Sequence, residues 1–229
     1  MVHFHIITLF PESIEPYLRS SIIGRAQKHK KIKVSFYNLK NFTRDPIRDA
    51  SRSNGASKYG RVDWRPYGGG PGMVLRPEPI LKAVQKAMGK SANRRKASVI
   101  FFSTDGSQFD EKTVQNLSKK KDIVLISGHY EGVDERVAKI LKAKKISMGP
   151  YTLTGGELPA ATLIDAVSRF VPSVLGKAES LEASRASSPE VYTRPETLVW
   201  RGKKYRVPKV LLSGHHANIN KWRTRTRKK

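Results

Sequence analysis

Residues 121–170 read KDIVLISGHYEGVDERVAKILKAKKISMGPYTLTGGELPAATLIDAVSRF. Two short apolar runs stand in this stretch, Asp122–Ser127 and Lys145–Met148, each followed by a glycine-bearing loop and then by helical spacing. The first helix is expected to begin near Val133 and the second to span Leu158 to Val171. Continuous apolar runs of this length fit strands covered on both faces. Strands that alternate with helices make a mainly parallel α/β sheet.

The pattern extends toward the amino terminus. Ser98–Ser103 is a third apolar run, and Asp110 is a candidate N-cap for the helix after it. Pro77–Met88 has helical spacing. Ile32–Asn38 alternates, with Ile32, Val34 and Phe36 set against Lys33, Ser35 and Tyr37, which predicts a strand with one face buried. Val2–Phe10 reads as the first strand, and Pro11 opens a helix running toward Lys30. Lys40–Gly72 is polar, and Pro172–Arg206 reads as irregular, too long for an ordinary connection and therefore functional or mobile. These boundaries predict an α/β domain over residues 1–171, a flexible segment over 172–206, and a short helical remnant with a basic tail over 207–229.

The chain has 229 residues, with 44 Lys and Arg against 19 Asp and Glu, a formal net charge of +25. Solubility needs far less charge. A surplus of this size points to a polyanion, since each neutralised phosphate releases counterions. There are no cysteines, so disulfides and thiolate metal sites are excluded. The opening apolar run is short and has no basic n-region, and no stretch reaches the length of a membrane span. A cytoplasmic protein with no membrane partner is expected.

Ligands of parallel sheets bind beyond the carboxyl ends of the strands. The loops there read TDGSQ (104–108), GHYEG (128–132) and GPYTLTGGE (149–157), and all carry glycine, which lets the backbone approach a ligand. One such loop is an ordinary tight turn; three in succession point to a pocket. Gly68–Gly72 runs into Met73 and Val74, so it is not a phosphate-binding Walker motif. No GxGxxG, GxSxG or HExxH is present. His215 and His216 are adjacent, without the spacing of a metal site, and read as surface or capping residues, so no metal ligands are assigned.

Seven ordered blocks carry a resemblance: LFPESIEPYL (9–18), IIGRAQ (22–27), RPYGGGPGM (65–73), SGHYEGVDERV (127–137), TLTGGELPAATLIDAVSRFVPSVLG (152–176), YTRPE (192–196) and VPKVLLSGHHANINKWR (207–223). Together they resemble the bacterial tRNA (guanine(37)-N1)-methyltransferases of the knotted SPOUT superfamily. The resemblance implies a homodimer, a deep trefoil knot, S-adenosylmethionine as co-substrate and tRNA as partner. It leaves a requirement for Mg²⁺ open. It also implies a donor pocket of Phe101, Phe102, Gly128, Met148, Gly149, Pro150, Tyr151, Thr152, Leu153, Gly155 and Gly156. Glu131 is placed near the sulfonium, or else serves as a helix-start carboxylate favoured by the dipole. Arg169 matches the family arginine near guanine O6, where a cation stabilises developing charge.

The chain departs from the family pattern at several points. Where the family carries Glu-Asp-Ser, with a catalytic aspartate, this chain has Glu182-Ala183-Ser184, which leaves Glu182 or Glu179 as candidate bases. The knot loop is Gly149-Pro150-Tyr151 instead of Gly-Asp-Tyr, and Trp64 follows Asp63 where the family has paired aspartates. A Ser/Arg/Lys-rich insertion covers roughly residues 49–60. Beyond Arg223 the family continues into a helical domain, whereas here a basic tail ends at Lys229, so a truncated C-terminal appendage is expected. Three readings follow: an active guanine-N1 methyltransferase, a catalytically impaired RNA-binding relative, and a basic RNA-binding assembly factor. The last leaves three glycine-rich strand ends unexplained.

Overall fold

The computed structural model describes residues 1–43, 60–89, 97–175 and 190–225. The insertion over 49–60, apart from its last residue, Glu179, Glu182, Ala183, Ser184 and the final four tail residues lie outside the described residues. The chain divides into two compact units, Met1–Val174 and Leu175–Lys229.

The first unit is built on five parallel strands: β1 (Val2–Thr8), β2 (Ile32–Asn38), β5 (Ala97–Gln108), β6 (Asp122–Ile126) and β7 (Lys144–Ser147), in the order β2-β1-β6-β5-β7. A small antiparallel pair, β3 (Asp63–Trp64) and β4 (Val74–Leu75), stands apart from it. The mainly parallel α/β reading therefore holds. On β1 the even positions Val2, Phe4 and Ile6 enter one core with Leu18, Ile23, Leu125 and Ile164. The odd position Ile7 enters a second core with Ile80, Val84, Val124 and Val137. Such a sheet needs apolar residues at nearly every position of its central strands, which accounts for the run IVLI in β6.

The helices are α1 (Glu15–Arg19), α2 (Ser21–Lys28), α3 (Pro77–Met88), α4 (Glu111–Ser118), α5 (Arg136–Leu141) and α6 (Glu157–Arg169). Asp110 caps α4 as read from the sequence, its Oδ1 accepting from Thr113 N at 2.8 Å.

Three boundaries differ from the expectation. The helix toward Lys30 is broken: a 3-10 turn at Pro11–Ser13 precedes α1, Ser20 is extended, and Ser21 takes φ +48°. Helix α2 then packs so closely on the end of α1 that a Cβ on Gly24 would lie 2.1 Å from the Arg19 carbonyl oxygen. The helix expected from Val133 starts at Arg136, because Val133 forms a bridge to Leu75 and Asp134 Oδ1 accepts from Arg136 N. In the second unit, the stretch read as irregular contains a hairpin, β8 (Thr197–Trp200) and β9 (Lys203–Arg206). Its two-residue loop, Arg201-Gly202, has φ +49° and +74°, the left-handed pair that matches the twist of hairpin strands. Two further helices follow, α7 (Lys209–Leu212) and α8 (His216–Arg225). His215 caps α8 through Nδ1, which accepts from Asn218 N at 3.4 Å.

Among the described residues, no helix is long and apolar enough to cross a membrane. At the amino-terminal end of the sheet, burial above all holds the His3 imidazole down at about 4, with His5 and Lys33 adding to the effect and Asp122 opposing it. Gly24→Ala should cost about 1–3 kcal/mol, since the added methyl forces α2 away from α1. A urea midpoint equal to that of the wild type would show that the α1–α2 junction yields freely.

Candidate functional site

The carboxyl ends of β5, β6 and β7 face one cleft of about 220 Å³. Phe101 and Phe102 of β5 form its floor, with Gly128 and Glu131 from the loop after β6. Met148, Tyr151, Thr152, Leu153, Gly155 and Gly156, from the loop after β7, form the opposite wall. Residues over 40 positions apart in the chain thus share one pocket. Gly149 and Pro150 belong to the same loop but do not line the cleft; Gly149 is buried and lies so near the Tyr151 ring that a Cβ would approach Cε1 within 2.3 Å.

The loop is held by contacts that only glycine allows. Gly156 N donates to the Gly128 carbonyl at 2.8 Å, and Ser127 Oγ donates to the Gly156 carbonyl at 3.0 Å. A Cβ on Gly156 would lie 2.5 Å from Ser127 Cα. On Gly155 it would meet Glu157 Oε2 at 2.4 Å. Glu157 is itself buried and accepts a 2.7 Å hydrogen bond from the Thr8 hydroxyl. At the start of α6 its charge is favoured by the helix dipole.

The TDGSQ loop is an excursion from β5. Phe102 and Ser107 both stand opposite Ile146 of β7, and the residues between them bulge out. A Cβ on Gly106 would sit 2.5 Å from Ile146 N, so the return to β7 also demands glycine. Lys145 Nζ ties the loops together at 3.0 Å from both Asp105 and Glu135. Hydrogen bonds from Ser103 and then Lys145 hold the Asp105 carboxyl below its ordinary range, while Glu135 and Asp105 raise Lys145. These pairs face solvent and serve to place the loops more than to stabilise them.

Sequence reasoning left out His129, Tyr130, Ser103, Thr104 and Pro159, which also line the cleft. His129 packs on Phe10 with ring centroids 4.7 Å apart, and its Nδ1 is buried with no hydrogen-bond partner among the described residues. Its place in the GHYEG block was the available signal. The glycine-rich 65–73 segment also reaches the site: Glu131 N donates to the Met73 carbonyl, and Gly72 lies against the exposed Glu131 side chain.

Arg169 is not in the cleft. It is half-buried at the far end of α6, whose 13 residues separate it from Glu157 by roughly 18 Å of helix. Glu182 lies outside the described residues.

The family model described as tRNA (Guanine-1)-methyltransferase TrmD matches residues 2–229. The chain belongs to this family. The tRNA (guanine-N(1)-)-methyltransferase of Pseudoalteromonas atlantica is 42% identical over 224 residues, covering 96% of this chain and 78% of the relative. The protein of the same name from Ruminiclostridium cellulolyticum is 41% identical over 225 residues, 96% of this chain and 88% of that one. The crystal structure of the tRNA (m1G37) methyltransferase of Aquifex aeolicus is similar with a TM-score of 0.75 at 39% identity, over 99% of this chain and 89% of that one. The protein is thus an enzyme of the guanine-1 methyltransferase type.

Within this methyltransferase, Thr8→Val keeps the side-chain shape and removes the hydroxyl that satisfies Glu157. A buried carboxylate left short of a donor costs about 1–3 kcal/mol. Urea denaturation should show that loss; unchanged stability would mean water replaces the hydroxyl.

Proposed function

We propose that the protein transfers the methyl group of S-adenosylmethionine to N1 of guanosine 37 in tRNA. The observation that carries this reading is the cleft itself, shared by the three glycine-bearing strand-end loops of a chain in the guanine-1 methyltransferase family. The lining suits the donor. Leu153, Ile146 and Pro159 offer apolar surface to a purine ring, the Gly128 and Gly155 backbone offers polar groups for its edge, and the Glu131 carboxylate stands at the rim, where it would face a cation. When bound, the donor supplies an electrophilic methyl group on a sulfonium.

The chain supplies the rest. Guanine N1 carries a proton and becomes nucleophilic as a carboxylate removes it. Glu182 is assigned that role, with Glu179 as the alternative. Charge then builds on O6, where Arg169 provides a fixed cation. Because Arg169 stands roughly 15 Å of helix beyond Pro159, which lines the cleft of its own chain, it serves the cleft of a second copy. The outer face of α6 supports such a pairing: Leu158 and Thr162 are exposed, and nearby Tyr17 donates a hydrogen bond to Asp165 while half exposed. The proposal therefore includes a homodimer, with residues 1–171 as the methyltransferase domain, 172–206 as the active-site segment and 207–229 as the basic appendage. It also includes the trefoil knot. The return of residues 149–156 from the sheet edge past β5 to the end of β6 supports this. The cytoplasm, where tRNA is modified, is the place of action.

Two measurements test the reading. Leu153→Arg puts a long cation into the cleft and should abolish donor binding in calorimetry; unchanged affinity in a folded variant overturns the pocket assignment. Glu182→Gln and Arg169→Ala should each slow methyl transfer to a transcript with guanosine at position 37 while leaving donor binding intact, by about a hundredfold or more for loss of acid–base assistance or of a charge-stabilising group. If the wild type binds donor and tRNA but transfers nothing, the impaired relative is the correct reading. Transfer undiminished by Glu182→Gln and Glu179→Gln would remove both as bases.

A further inference from the structure

We propose that His3, His5 and Asp122 form a binding site for one divalent transition-metal ion of the zinc type, at the amino-terminal end of the sheet. The inference stands on these residues alone and is independent of the methyltransferase reading.

The register brings the three side chains together. His3 and His5 are two apart on β1 and so point to the same face. Asp122, the first residue of β6, is the direct partner of His3 in the parallel ladder. One candidate ligand atom from each of the three lies within 4.8 Å of the others. His5 Nε2 is 3.1 Å from Asp122 Oδ1, and His3 Nδ1 is 3.9 Å from the same oxygen. Ligands at zinc distances in a tetrahedral shell stand about 3.3 Å apart. Both distances to Asp122 lie within about 0.6 Å of that value, and the half-exposed Asp122 has room to adjust around an ion.

The second ring nitrogens suit this assignment. His3 Nε2 meets Ser35 Oγ at 2.8 Å, and His5 Nδ1 meets the Tyr37 hydroxyl at 3.2 Å. Strand β2 thus holds both rings from behind, as the outer partners of metal-binding histidines do, and turns the remaining nitrogens toward Asp122. With no ion bound, a proton on His5 Nε2 satisfies one pair. Ser35 Oγ can accept the His3 Nε2 proton, which leaves the Nδ1 lone pair available to an ion. A cation placed among the three would take that lone pair, the His5 Nε2 lone pair and an Asp122 oxygen. Two imidazoles and one carboxylate suit zinc and its borderline neighbours, and are a poor set for Mg²⁺, which prefers oxygen. The exposure of Asp122 leaves room for water as a fourth ligand. Lys33, paired with His3 across β1–β2, is a nearby positive charge that works against tight binding.

The site is far from the cleft. Ile7 pairs with Ile126 where the strands end, four residues or roughly 13 Å beyond His3. The ion would brace the β1–β6 seam at its outer end and take no part in methyl transfer.

The test is a zinc titration of the full chain after chelator treatment, followed by calorimetry and thermal unfolding. One equivalent of Zn²⁺ should bind to the site and raise the melting temperature, and excess Mg²⁺ should not compete. Asp122→Asn and His3→Ala should abolish both effects. Ser35→Ala should weaken binding about tenfold to a hundredfold, the usual effect of losing an outer partner. The double variant His215→Ala with His216→Ala is the control for the adjacent pair in the second unit and should bind as the wild type does. If His3→Ala does not fold, Asp122→Asn, at a half-exposed position, decides alone. Absence of zinc binding, or binding that survives Asp122→Asn and is lost in the His215/His216 variant, overturns the proposal.

Discussion

The contact between Gly156 and the end of β6 governs the rest of the site. No side chain fits there, because a Cβ would overlap Ser127 Cα. Two hydrogen bonds, one from each partner, lock the approach. This seating fixes where α6 begins and puts Glu157 beneath the loop, within reach of Thr8. It also leaves residues 151–155 standing over the cleft as its wall. A methyl group at position 156 would therefore disturb the helix, the buried carboxylate and the pocket together.

The site divides its work between rigid and adaptable parts. The cleft floor and the tightly seated glycines are packed into the sheet, while Tyr151, Thr152, Leu153 and Thr154 are exposed at the rim. Phosphate attraction is a property of the whole surface, whose charge is +25, and needs no fixed geometry. Placing a base at N1 and a cation at O6, the roles proposed for Glu182 and Arg169, does need it. The half-buried position of Arg169 at the end of a well-packed helix suits the role proposed for it better than a loop would.

Strand positions were legible because a covered parallel strand must be apolar at successive positions, and the runs at Ser98–Ser103 and Asp122–Ser127 show this directly. The loops that meet at the cleft were legible for a second reason: ligand sites follow the carboxyl ends of such strands. Breaks within helices were not. Ser21 adopts a left-handed conformation that serine rarely takes, imposed by the packing of α2 on α1, and nothing in its neighbours announces it. The hairpin at 197–206 was legible in principle, since Arg201-Gly202 separates two strand-like runs, but its strands are exposed and lack the apolar alternation that marks a buried face. Pro150, taken from the loop motif, is exposed and does not line the cleft; motif membership does not specify which residues of a loop line a pocket. The His3, His5 and Asp122 cluster was illegible because spacing rules see neighbours in the chain, while this grouping arises from pairing between β1 and β6.

That same pairing has a consequence for biosynthesis. Strand β1 is an interior strand of the sheet, and its partner on one side, β6, is made only after more than a hundred intervening residues. At ordinary translation rates β1 waits on the order of ten seconds with one apolar edge unpaired. In that interval β2 and the helices between them are the protection available from the early chain. The β1–β6 seam therefore closes only after the residues between its strands have been made, a long-range pairing of the kind that slows folding.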